Sequence, residues 1–263
     1  MTIRLTALLL LAVAAPAFAQ DARFCPNRPS LGTSTCTTDP GRVLVEVSGV
    51  DWQRSPEDDG RADSYLFGDL QLRTGLDRRT EVQLSWTPIA RYALRGEDGR
   101  VRDRVTGVGD VRLGLRRNLA GPDGEGFSIA VEPFVTLPTG ARAIGRGDWS
   151  AGIVLPMSYD LGDWSVQFTG EADAETDESG TGRHAAYAGT LGLGRSLGEK
   201  WDAEVELALR RDDDPAGHET EALAAASLAY KVREHAQIDV LAVAGLNRTS
   251  PDVRLVVGGA VLF

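Results

Sequence analysis

The chain has 263 residues, of which 38 are acidic and 28 basic, giving a formal net charge of -10. That surplus argues against nucleic acid as a partner, and a hydrophobic share of 42% is low for a bundle of membrane helices but compatible with a barrel that hides charge in its lumen. After the N-terminal run no segment comes near the roughly 20 consecutive apolar residues that a spanning helix needs.

Arg4 precedes the apolar run Leu5 to Ala15 and then Pro16-Ala17-Phe18-Ala19, whose small residues suit signal peptidase. Residues 1–19 therefore read as a cleaved secretory leader. Residues 20–40 follow as a Pro-, Gly- and Thr-rich stretch holding the only two cysteines, Cys25 and Cys36. In an oxidising compartment such a pair forms a local disulfide. The stretch is expected to be a tied periplasmic tail, with insertion into a barrel as a plug the competing reading.

From residue 41 to 263 twelve segments alternate apolar and polar residues with a period of two. They lie near 42–52, 64–76, 80–89, 108–119, 126–138, 148–159, 164–173, 184–196, 201–211 and 219–232, followed by a C-terminal hairpin over 236–263. In that hairpin Ile238, Val240 and Ala242 share one face, and Val253, Leu255, Val257 and Val261 repeat the pattern after a turn-forming run, with Phe263 as the last residue. The connections alternate in length. Those near 75–79, 120–125, 160–163, 197–200 and 233–235 are short, whereas 53–63, 90–107, 139–147, 174–183 and 212–218 are mostly longer and rich in charge or glycine. Short periplasmic turns, longer outer loops, an even strand count and aromatic residues near strand ends predict an all-β fold: a single up-and-down antiparallel barrel of about 12 strands in the bacterial outer membrane.

Four stretches, GVGDVRLGLRRNL from Gly107, VEPFVTLPTG from Val131, LGEKWDAEVELAL from Leu197 and the whole segment from His235 to Phe263, resemble the outer-membrane β-barrel transporter-like family described as the Putative MetA-pathway of phenol degradation. The resemblance covers nearly the whole mature chain and implies a barrel with a transport role. Gly109-Asp110, Leu137-Pro138-Thr139-Gly140, Asp239 and Pro251-Asp252 look like the family's recurrent positions. The ending Leu262-Phe263 keeps the family's terminal aromatic residue but not the arginine that often precedes it.

An enzyme would need a nucleophile beside an oriented base. His184, His218 and His235 all read as exposed strand-end residues, and neither a metal-ligand cluster nor a cofactor motif stands out. The chain is therefore expected to be no enzyme and to hold no metal or cofactor.

Function then rests on the inward face. Asp69, Arg73, Glu81, Asp110, Arg112, Arg116, Glu132, Glu171, Asp173, Asp202, Glu204, Glu206 and Arg210 alternate into the lumen. Reflection about Pro122 sets Arg112 opposite Glu132 as an ion pair. Reflection about the turn at residues 197–200 sets Asp202, Glu204 and Glu206 opposite Ser196, Gly194 and Gly192, so this row of carboxylates is expected to stand free and to favour cations. Leu223, Ala225, Leu241, Val243, Val256 and Ala260 give the lumen one apolar wall. These features predict passive passage of small solutes, amphipathic or aromatic ones included, through a partly acidic lumen. The alternative is a closed structural or surface-interaction barrel. Expected partners are membrane lipids, lipopolysaccharide beside the acidic loops, the small solute, and the barrel-insertion machinery, which would read Phe263 as an assembly signal.

Overall fold

The computed structural model describes residues 22–263, so the leader expected over residues 1–19 lies outside the described residues. Fourteen strand segments follow one another: β1 (Val43–Glu57), β2 (Gly60–Asp77), β3 (Thr80–Trp86), β4 (Ile89–Gly96), β5 (Val101–Gly107), β6 (Val111–Ala120), β7 (Phe127–Leu137), β8 (Ser150–Asp160), β9 (Trp164–Thr176), β10 (Arg183–Ser196), β11 (Trp201–Asp214), β12 (Gly217–Arg233), β13 (Ala236–Gly245) and β14 (Val253–Leu262). All pairings between them are antiparallel, and β1 pairs with both β2 and β14, which closes the sheet into a barrel; β5, at the outer end, pairs with β4 alone.

β3 and β4 are two halves of one span, as are β5 and β6. β2 pairs with β3 in its lower half and with β4 in its upper half, in one continuous register. The break falls at Thr87-Pro88, where proline has no N–H to give to the ladder. Counted as spans, the fold is the twelve-stranded barrel that the alternation predicts.

Outward positions carry the apolar residues: Leu191, Leu193, Val205, Leu207, Ile238, Val240 and Val257 are exposed. A band of that kind is stable only against lipid, since in water it would far exceed the apolar patches that soluble surfaces tolerate. At the turn end Trp201 packs on Tyr230 with ring centroids 4.7 Å apart, and Tyr159, Trp164 and Phe263 are exposed beside them, as an interfacial girdle requires. The Phe263 N–H donates to the Val43 carbonyl at 2.9 Å, so the last residue sits on the seam where the barrel closes.

The outer connections differ from the expected loops. Residues 53–63 are not a loop but the tops of β1 and β2, joined through Asp58-Asp59, and residues 90–107 are largely the β4–β5 hairpin. Residues 174–183 and 212–218 likewise shrink to short turns. β2 is 18 residues long and β12 is 17, well beyond the roughly 9–11 that cross a bilayer. Above the membrane both faces of such a ribbon meet water, so the alternation that marks a strand disappears while its backbone ladder continues.

Candidate functional site

The segment before β1 does not hang below the barrel as a tail. Residues 22–40 run inside it, and this corrects the periplasmic placement expected for 20–40. The segment has no regular secondary structure, and its polar groups are satisfied by the wall. Cys25 and Cys36 are joined as a disulfide, which folds the segment back on itself.

Two arginines and three glutamates on the wall hold the base of this plug. Arg73 on β2 reaches Glu46 on β1 at 3.1 Å and Glu81 on β3 at 2.8 Å, while Arg116 on β6 reaches Glu81 at 3.2 Å and Glu132 on β7 at 2.8 Å. Their remaining N–H groups turn to the plug. Arg73 donates to the carbonyls of Cys25 (2.7 Å) and Cys36 (2.9 Å), and Arg116 to the carbonyl of Cys36 (3.1 Å). The carboxylates accept from its backbone: Thr38 N–H donates to Glu81 at 2.6 Å and Asn27 N–H to Glu46 at 2.8 Å. Arg73, Arg116 and Glu81 are almost fully buried, so the lumen is filled at this level. Burying so much charge is tolerable only because each ion has an opposite partner and hydrogen bonds besides.

The tip of the plug leans on the opposite wall. Glu206 accepts the N–H groups of Leu31 (2.9 Å) and Gly32 (3.1 Å) and the Ser30 hydroxyl (2.7 Å). The Leu31 side chain packs against Ala225, Leu241, Val243 and Val256, which explains the apolar wall: it receives the plug. Arg28 forms an ion pair with Asp239 at 2.7 Å and donates to Ser48 at 2.6 Å. Only glycine fits at position 258, where a Cβ would run into the Val47 carbonyl and the Arg28 guanidinium. At the periplasmic rim Arg23 binds Asp39 and donates to the Pro122 carbonyl at 2.6 Å. Burial disfavours the charged Asp39 carboxylate, but the Arg23 hydrogen bonds outweigh it and hold the group below its ordinary pKa.

The row of three carboxylates has the predicted register, Asp202 opposite Ser196, Glu204 opposite Gly194 and Glu206 opposite Gly192. It is not free. Asp202 pairs with Lys231 at 2.9 Å and accepts the Ser196 hydroxyl at 2.7 Å, and Glu206 is capped by the plug. Only Glu204 lacks a partner for one buried oxygen; its carboxylate occupies the space that a Cβ at Gly192 would take, and it lines a cavity of about 360 Å³ between plug and wall.

Other predicted residues also find different partners. Arg112 faces Thr136 rather than Glu132, because the β6–β7 hairpin turns two residues later than Pro122 and carries a bulge near Leu119. Arg112 stacks on the Phe134 ring at 3.4 Å and meets Glu171 at 3.6 Å. Asp110 is a loop anchor instead of a pore residue: its carboxylate accepts the N–H groups of Gly140 (2.7 Å) and Arg146 (2.8 Å), so the Gly-Asp and Leu-Pro-Thr-Gly motifs fasten one outer loop. Asp69 accepts the Thr87 hydroxyl at 2.6 Å. Arg112, Glu171, Asp173, Glu175 and Arg146 line an upper cavity of about 170 Å³, and Arg210 reaches Glu175 and Asp212 above it. His184 is buried among carboxylates, against the expectation of an exposed strand end.

A closed twelve-stranded wall, a lipid-facing apolar band and a polar lumen define an outer-membrane β-barrel of porin-like architecture. The chain belongs to the family described as Putative MetA-pathway of phenol degradation, whose model matches residues 26–261. No curated protein matches the sequence. Among solved structures, the NanC porin is similar at 10% identity over 81% of this chain and 98% of that one, with a TM-score of 0.54. The KdgM porin (12% identity, 81% and 98% covered, TM-score 0.48) and the translocator domain of the autotransporter NalP from Neisseria meningitidis (12% identity, 84% and 88% covered, TM-score 0.49) are more distant. At these identities the likeness is one of fold.

Proposed function

We propose that this protein is a plugged outer-membrane channel through which small solutes with both polar and apolar surface pass passively when the N-terminal segment shifts. The observation that carries this reading is how the plug is held. Apart from one isolated bridge between Pro40 and Gly75, it shares no strand ladder with the wall, and it rests on side-chain contacts that water can replace once the segment moves. The barrel ladder would survive its departure, leaving a lumen with charges on one side and Ala225, Leu241, Val243 and Val256 on the other. Such a surface suits amphipathic or aromatic solutes better than sugars, which is consistent with the phenol-degradation label of the family.

In this reading Glu204 and the uncapped Glu206 line the open path and favour cations, while Asp202 remains neutralised by Lys231. Asp69, Arg73, Glu81, Glu132, Glu171 and Arg210 shape the path through their pairs. Exposed Arg100, Arg102 and Arg104 on and beside β5 would meet lipopolysaccharide phosphates, a role that fits them better than the acidic turns. The competing reading, a closed structural barrel, is favoured by the complete burial of Arg73, Arg116 and Glu81. Liposome swelling decides between them: reconstituted protein should admit a phenol-sized amphipathic solute faster than a sugar of similar mass. No entry of either would favour the closed barrel.

A further inference from the structure

At the outer mouth, His184 on β10 sits between Glu175 on β9 and Asp212 on β11, with ligand-type atoms of all three within 4.8 Å of one another. The cross-strand register puts them there: Glu175 is directly opposite His184, and Asp212 is opposite Ala186, two residues along the same face. A group of acidic residues is unremarkable on an outer rim. The histidine is what singles this one out, because its side chain is only 4% exposed.

Its two ring nitrogens are treated differently. Nδ1 forms a hydrogen bond with Asp177 Oδ1 at 3.1 Å, which a carboxylate can accept only if Nδ1 carries the proton. In the neutral ring Nε2 then presents a lone pair. Nε2 lies 2.7 Å from Asp212 Oδ1 without a hydrogen bond between them, and this buried nitrogen has no hydrogen-bond partner. Lone pairs of a nitrogen and a carboxylate oxygen facing each other so closely repel, and either a proton on Nε2 or a bound metal cation relieves them. The second oxygens are already held: Arg210 grips Asp212 Oδ2 at 2.9 Å and Glu175 Oε1. One Glu175 oxygen, Oε2, is buried without a hydrogen bond, with Arg146 3.3 Å away. Charge counts in the same direction. Glu175, Asp177, Asp212 and Asp214 exceed Arg146 and Arg210 by two negative charges when His184 is neutral.

We infer that His184 Nε2, Asp212 Oδ1 and Glu175 form a binding site for a divalent first-row transition metal such as zinc, stapling β9, β10 and β11 at the outer mouth. One imidazole with two carboxylates suits this class rather than calcium or magnesium, which take oxygen ligands only. Asp177 supplies the carboxylate that fixes the tautomer and orientation of a metal-bound histidine, and Arg210 orients the two carboxylates from behind. The site depends on wall geometry alone and stands whether or not the barrel conducts.

Zinc chloride titrated calorimetrically into the full-length mature protein in detergent at pH 7.5 tests this. The expected result is one equivalent bound, with H184Q lowering the affinity at least 100-fold and Asp177→Asn lowering it about 10- to 100-fold through the ring orientation. H218Q and H235Q should bind as the parent does. Asp212→Asn serves as the second ligand variant, and unchanged heat-modifiable migration on gels shows that each variant is folded. Cobalt in place of zinc should give a visible absorption band that H184Q abolishes. No zinc uptake, or uptake unchanged by both H184Q and Asp212→Asn, would overturn the site and leave His184 as an imidazolium paired with its carboxylates.

Discussion

Glu206 accepts the N–H of Leu31 at 2.9 Å, across 175 residues of sequence, and this contact fixes the tip of the plug on the wall of the barrel. The same carboxylate takes the Gly32 N–H and the Ser30 hydroxyl. Glu206→Gln keeps the shape and removes the charge that strengthens these bonds, each worth roughly 1.5–3 kcal/mol when one partner is ionised. The open-to-closed ratio in planar-bilayer recordings should rise by about tenfold or more. Identical open probability in parent and variant would show that the tip contact does not hold the plug.

Arg73 binds Glu46 and Glu81 on the wall and both cysteine carbonyls in the plug. Arg73→Met leaves two buried carboxylates with too little positive charge and should destabilise the protein by roughly 3–5 kcal/mol, read as a lower midpoint of heat modification on gels. Adding Glu81→Gln should recover part of that loss. A double variant less stable than the single one would contradict the pairing.

The Asp110 carboxylate secures residues 139–147 through two backbone N–H groups. In Asp110→Ala, trypsin should cut at Arg142 or Arg146 several-fold faster, while the unfolding midpoint of the barrel stays within about 1 kcal/mol of the parent because the loop lies outside the wall ladder. Unchanged cleavage would mean that the loop is held by something else.

The Cys25–Cys36 disulfide closes a loop of sequence separation 11, which removes about 2–3 kcal/mol of chain entropy from the released segment. Native protein should resist thiol alkylation at both positions. The double serine variant should fold into the same barrel yet show more frequent openings. Free thiols in the native protein would refute the bond.

Much of the barrel is legible in the sequence because lipid outside and water inside enforce a period of two. The β10–β11 register, centred on Glu199, follows from a four-residue turn without a bulge. The β6–β7 register does not, since a six-residue turn and a bulge move the partner of Arg112 by four positions, from Glu132 to Thr136. The sequence leaves the plug as only the competing reading of residues 20–40 for a different reason: its polar residues have no periodicity, and partners such as Glu206 and Asp239 lie about 175 to 211 residues away. One signal was nonetheless present. Leu241, Val243 and Val256 form an apolar strip facing a lumen, and such a strip calls for something to cover it.

The central claim is that residues 22–38 close the lumen and can leave it without unfolding the wall. Single-channel conductance of a chain of residues 20–263, compared with the same chain lacking residues 22–38, tests this most directly. The full chain should be closed or open only briefly, and the deletion should give a steady, larger conductance with cation preference that Glu204→Gln combined with Glu206→Gln reduces. A folded deletion variant that conducts no better than the full chain would contradict the account.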